Sequence, residues 1–190
     1  MFNKNLFKKL KKEHDDFRRS RREVVRLAND ALAKSKQAIF AFHRGNREAG
    51  EALLKEAENI LGYLNKKFKK NQAIRQEGAL KAAHEEFLEA KFFGKALQGE
   101  KLDFTKNLEI SLESYLGALC DLTGELVRSA INKAAVGQAK EVEKIKKIIG
   151  DILEELVQFD LTGYLRTKYD QAKHNLKKIE EIYYDIKIRK

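Results

Sequence analysis

The sequence contains no proline and only 11 glycines in 190 residues, so few positions interrupt a helix. Its single cysteine, Cys120, excludes an internal disulfide and any cysteine-based zinc site. Cys120 lies among apolar residues, where a buried structural thiol is expected. The chain has no run of about 18 uncharged apolar residues, which excludes a transmembrane helix. The opening "MFNKNLFKKLKKEHDD" has no apolar core of signal-peptide length, so a cytoplasmic protein is expected.

What remains is rich in Ala, Leu, Glu, Lys and Arg, all strong helix formers. The chain is 43% hydrophobic and 36% charged, the balance of an ordered, charge-rich protein rather than a disordered one. Lys and Arg number 39 against 29 acids, a net charge of +10. Ten of those basic residues fall in the first 26 positions, against four acids. Such density suits a polyanion, either nucleic acid or an anionic surface, although a solvated helix face has the same composition.

Apolar residues at Leu6, Leu10, Phe17, Val24, Ala28, Ala31, Ile39 and Phe42 recur mostly at steps of three, four or seven. They predict one very long helix over about 3–44, roughly 60 Å at 1.5 Å per residue. A helix of that length overhangs a compact fold of this size and suggests oligomerisation. Further helices are expected over about 47–68, 72–97, 108–136, 138–158 and 164–188. No strand pattern, internal repeat or domain boundary is visible. The expectation is an all-α protein of six or seven helices forming one domain over residues 1–190.

Two acid pairs stand out. In "GALCDLTGELVR", Asp121 and Glu125 are four residues apart on one face of an apolar helix. In "AAHEEFLEAKFF", Glu86 and Glu89 are three apart, again among apolar neighbours. The connection of about ten residues between these helices favours an antiparallel pair, which would bring the four acids face to face. Carboxylates that converge in a partly buried site repel unless a proton or a cation neutralises them. An all-oxygen set suits Mg²⁺ or Mn²⁺, the ions of metal-assisted phosphodiester cleavage. The same spacings also occur on ordinary helices whose acids pair with exposed lysines. A di-iron bundle is disfavoured, since neither pair is completed by a Glu-x-x-His motif.

"YLGALCDLTGELVRSAIN", over Tyr115–Asn132, resembles the Trax form of a motif in the translin and translin-associated factor X (Trax) family. "EFLEA", "KSKQAIFAFHRG" and "LRTKYDQAKHNLKKIEEIYYDIKIRK" resemble the same family, so the likeness covers most of the chain. The last of these is closer to translin, and the long insert of eukaryotic Trax is missing. That mixture implies a single-subunit type such as archaea carry. The resemblance implies a helical protomer in a hollow, closed octamer that encloses RNA or single-stranded DNA. It further implies Mg²⁺-dependent endoribonuclease activity through Glu86, Glu89, Asp121 and Glu125; the alternative is a translin-like binding scaffold without catalysis.

For phosphate contacts the candidates are Arg18, Arg19, Arg21, Arg22 and Arg26 on the first helix. Arg75 and Lys81, near family nucleic-acid-binding positions, are weaker ones. His14 and His43 read as structural partners on the first helix, His43 at the end where a cation favours the helix dipole. His84 lies on a different face from Glu86 and is not expected to be a ligand. Tyr183 and Tyr184 are expected to pack within the last helix. Gly117 and Gly124 are expected to let another helix approach closely.

Overall fold

The computed structural model describes residues 3–188. Among the described residues there are seven helices: α1 (Lys4–His43), α2 (Arg47–Lys67), α3 (Gln72–Arg75), α4 (Gly78–Gln98), α5 (Leu112–Ala135), α6 (Ala139–Leu156) and α7 (Gly163–Ile188). There is no strand among the described residues. None of the helices is long and apolar enough to cross a membrane.

The C-terminal half of α1 buries a seam of mostly small residues, Val24, Ala28, Ala31, Ser35 and Ala38, ending in Phe42. Steps of four and three keep them on one stripe, and α2 and α4 pack on α1 there. Asn3 starts α1 by accepting from the backbone N–H groups of Asn5 and Leu6. At its end Gly45 adopts φ +74°. The N–H of Gly45 reaches the carbonyl of Phe42, and that of Asn46 reaches Ala41, a Schellman closure. Asn46 then caps α2 through Ala49.

The Phe42 ring is a wedge between three helices. A Cβ placed on Gly94 of α4 would lie 2.8 Å from it, and one on Gly50 of α2 would overlap it as well. Both glycines are therefore sites where only a missing side chain lets the ring seat. Phe93 meets Phe42 edge-on with centroids 6.4 Å apart.

Two expectations need correction. The helix expected over 72–97 is broken, because Glu77 takes extended backbone (ψ 127°) between α3 and α4. Asn71 caps the short α3, and Ile74 is buried beneath it. Glu77 is held in the corner by a two-pronged bond from Arg21 of α1, at 2.8 and 3.2 Å.

Nor do α4 and α5 run antiparallel. Their N-terminal ends meet through Lys81 and Glu113 at 3.3 Å. Further along, Glu85 of α4 stands beside Gly117 of α5, and towards their C-terminal ends Gln98 and Asn132 line one cavity. The connection 99–111 makes this possible by travelling back along α4. It starts beside Lys95, which donates to the Lys101 carbonyl. It ends with Glu109 between Lys69 and Arg75, at 3.4 and 3.0 Å. The 21 residues of α4 are roughly 30 Å long, and an extended chain of the loop's length reaches about 40 Å. Ser111 then caps α5 through the Ser114 N–H, which is why that helix starts later than its apolar pattern. Beyond α5, α6 and α7 pack on its other side and on each other.

Candidate functional site

Same-direction packing pairs α4 and α5 at a constant offset. Lys81 meets Glu113, and the Glu85 carboxylate fills the space where a Cβ on Gly117 would stand, 2.9 Å away. One turn further on, Glu86 and Glu89 face Asp121 and Glu125. The four acids thus come near enough to act on one another's charge, through a packing opposite to the expected one.

Their electrostatics follow from that convergence. Burial, followed by the charges of Asp121, Glu86 and Glu125, pushes the Glu89 carboxyl up to about 9; Lys168 offsets a part. Burial also raises Glu86, and Asp121 and Glu125 add to it against the opposing pull of Lys36. Near pH 7, then, Glu89 keeps its proton.

Each of the other acids has a cation beside it. Lys36 of α1 stands 3.7 Å from Glu86. Lys168 of α7 bonds Asp121 and lies 3.1 Å from Glu85. The His43 ring bonds Glu125, and Arg128 lies 3.6 Å from the same carboxylate. Tyr164 donates to Glu85 at 2.8 Å. Burial pulls the Lys168 ammonium down, but its bonds to Asp121 and Tyr164 and the charges of Asp121 and Glu85 together outweigh that and hold it well above an ordinary lysine.

The acids therefore face these cations rather than a common centre. Among the described residues no group of three or more His, Cys, Asp or Glu is gathered closely enough to hold a metal ion. The donor type, four carboxylates, is nevertheless that of a hard divalent cation, and one of them is kept protonated mainly by burial.

Glu85, Lys36, Lys168 and Tyr164 do not stand out in the sequence. His43 is more than a dipole partner, since it holds Glu125. Gly117 makes room for a carboxylate of α4, so close approach holds there. Gly124 does not need its lack of a side chain, since a Cβ there would only touch Asn175 at an ordinary 3.6 Å. Cys120 is buried, and its thiol is pushed up to about 11, mainly by burial. His84 is buried with Nε2 unpartnered among the described residues, and burial lowers it to about 4. Tyr183 is half-buried beside Lys146 and Lys187, whereas Tyr184 is exposed.

The basic candidates lie apart from the acids. Arg18, Arg19, Arg21, Arg22 and Arg26 all sit on the solvent-exposed part of α1. Arg19 pairs with Asp16, and Arg26 with Asp30 at 3.4 Å. Arg18 and Arg22 form no ion pair among the described residues. Arg26 is ten residues from Lys36, roughly 15 Å along the helix. Arg75 and Lys81 are nearer, and with Lys69 and Lys70 they line an opening of about 520 Å³ at the start of α4. The Arg21–Glu77 bond ties the α1 arginines to that corner.

Comparison with known proteins agrees with the fold. The model of the Translin family matches residues 19–190. Translin of Gallus gallus is 32% identical over 92 residues, spanning 48% of this chain and 40% of that protein. The chain thus matches about two fifths of the length of the curated translins. The translin-associated protein X homolog of Schizosaccharomyces pombe is 21% identical over 94% of this chain and 84% of its own. Two solved structures share the fold. The AfC3PO–duplex RNA complex has a TM-score of 0.85 at 24% identity, covering 97% of both chains. Apo-NeC3PO has a TM-score of 0.87 at 19% identity, covering 98% of this chain and 99% of that one. With a family match over nearly its whole length and this helical architecture, the chain belongs to the translin family.

Proposed function

We propose that this protein is a Mg²⁺-dependent endoribonuclease that holds RNA inside a closed homo-oligomer, most simply an octamer. The observation that carries the reading is that Glu86 and Glu89 of α4 lie near enough to Asp121 and Glu125 of α5 to feel their charges in a partly buried place, with Glu89 left protonated. A hard divalent cation bound there would orient a phosphate, activate water and stabilise the leaving oxygen. Glu89 must give up its proton to act as a ligand, so occupancy rises with pH. Lys36, Lys168 and His43 keep the acids apart and aimed in the meantime. The α1 arginines and the Arg75–Lys81 corner supply phosphate contacts that are independent of sequence. A relative solved with duplex RNA supports RNA as the substrate class.

The second reading is a binding scaffold without catalysis. It is favoured by the cation already beside Glu86, Asp121 and Glu125. Cleavage of end-labelled RNA in Mg²⁺ and in EDTA separates the two. Mg²⁺-dependent products support the nuclease. Retained RNA binding with no products in Mg²⁺ or Mn²⁺ supports the scaffold.

A further inference from the structure

The seven-residue spacing that buries Val24, Ala31 and Ala38 continues towards the N-terminus without a break in phase, through Phe17 and Leu10. Beyond Ser20 the packing ends but the stripe does not. Residues 3–19 are all exposed, with Leu10 at 50% and Leu6 beside it equally open. This stretch is also the most basic of the chain: Lys4–Lys12 holds five lysines and no acid.

Elsewhere an apolar groove of about 630 Å³ opens between the 99–111 connection, α5 and α6. Phe104, Leu112, Leu119, Ile152 and Phe159 form its walls, and Phe104 and Leu112 are 72% and 64% exposed. Every charged residue lining it is acidic: Glu100, Asp151 and Glu155. Asp151 also takes Lys147 of its own helix, at 2.6 Å.

We infer that the overhanging N-terminal part of α1 docks into this groove on a second copy of the chain. Leu6, Leu10 and Phe17 would meet Phe104, Leu112 and Phe159, and the lysines would meet the acidic rim. Charge selects this arrangement over a symmetric α1–α1 pairing, which would set five lysines against their own copies. A patch that joins a different patch is a head-to-tail contact, and such contacts close into rings when the rotation permits. The inference gives the oligomer of the proposed function its surface, and it needs neither RNA nor metal to test.

The test is light scattering and cross-linking on the full chain. Leu10→Asp changes a residue exposed in the protomer, so helicity should hold while the mass falls to smaller species. Asp151→Lys with Glu155→Lys should weaken assembly, and adding Lys8→Glu and Lys11→Glu to that chain should restore it. Leu10→Cys with Leu112→Cys should form an intermolecular disulfide under mild oxidation, whereas buried Cys120 should not react. An unchanged mass for Leu10→Asp would overturn the inference. So would efficient self-linking of the single Leu10→Cys chain, which signals α1–α1 pairing. A monomer whose α1 instead binds anionic phosphatidylserine vesicles through Leu10 would overturn it too. Because the readouts are mass and cross-links, the docking can fail while the nuclease reading survives, and the reverse.

Discussion

The start of α1 and the middle of α4 both carry dense charge of one sign, yet they behave as opposites. On α1 the arginines and lysines stay in water, and most of them pair with a neighbour one turn away or not at all. On α4 three glutamates within five residues are taken partly inside, and Glu89 can no longer ionise near neutral pH. The difference lies in access to solvent. Exposed charges interact weakly and are screened by salt. Enclosed charges must find a counter-ion or a proton. One region can attract a polyanion from a distance; the other has its charges already answered by protons and neighbouring cations.

The sharpest way to break this contrast is to neutralise the enclosed charges. Asp121→Asn should lower RNA cleavage by orders of magnitude, because several kcal/mol of barrier lowering is at stake at about 1.4 kcal/mol per tenfold. RNA binding, helicity and oligomer mass should stay as they were. Equal cleavage rates in the two chains would remove Asp121 from the site.

The exposed region should respond in the other channel. Arg18→Ala with Arg22→Ala should weaken RNA binding evenly across sequences. The slope of log affinity against log salt should become shallower by roughly one for each phosphate that is no longer neutralised. The rate at saturating RNA should not move. Titrations at several salt concentrations test this, and a steeper loss for one RNA sequence would contradict it.

The acids were legible because a helix repeats its face every three or four residues, so Glu86 with Glu89 and Asp121 with Glu125 announce themselves. Their partners were not. Lys36, His43, Tyr164 and Lys168 come from two other helices, and spacing along one helix says nothing about what crosses to it. Glu85 was hidden for a related reason, since only the packing of Gly117 shows that there is room for it. Helix existence was legible from the apolar period and the missing prolines. The same-direction course of α4 and α5 was not, because it depends on Glu109 anchoring the end of a loop to Lys69 and Arg75.

Packing around the enclosed region gives a third prediction. Gly94→Ala puts a methyl group into the Phe42 ring and should cost about 1–3 kcal/mol of stability, read as a lower thermal midpoint. A smaller residue at Phe42 in the same chain should recover part of it. If Gly94→Ala unfolds at the unmodified temperature, the wedge is looser than its geometry implies.

The smallest effect is on pH dependence. Glu89 has a folded pKa of about 9 against an ordinary 4.5, so the folded state holds the proton more tightly. Its contribution is full below the ordinary value and is lost as pH rises towards 9. His84 runs the other way. Its folded value of about 4, against 6.5, gives stability above 6.5 that is lost as pH falls towards 4. In EDTA, Glu89→Gln should flatten the alkaline side of the stability profile and leave the acidic side in place. Denaturant melts at pH 5, 7 and 9 measure both slopes.

Phe42 and His43 are consecutive in the chain, and their roles are joined. The ring finds its seat only when α2 and α4 both present their glycines to it. The imidazole takes its aim from that seat, and with it the partner of Glu125. A chain in which any one of three helices is misplaced therefore carries all four acids yet lacks the arrangement that points them. The seating of one aromatic ring is thereby coupled to the partner of an acid: the packing of α1, α2 and α4 and the position of Glu125 are set together.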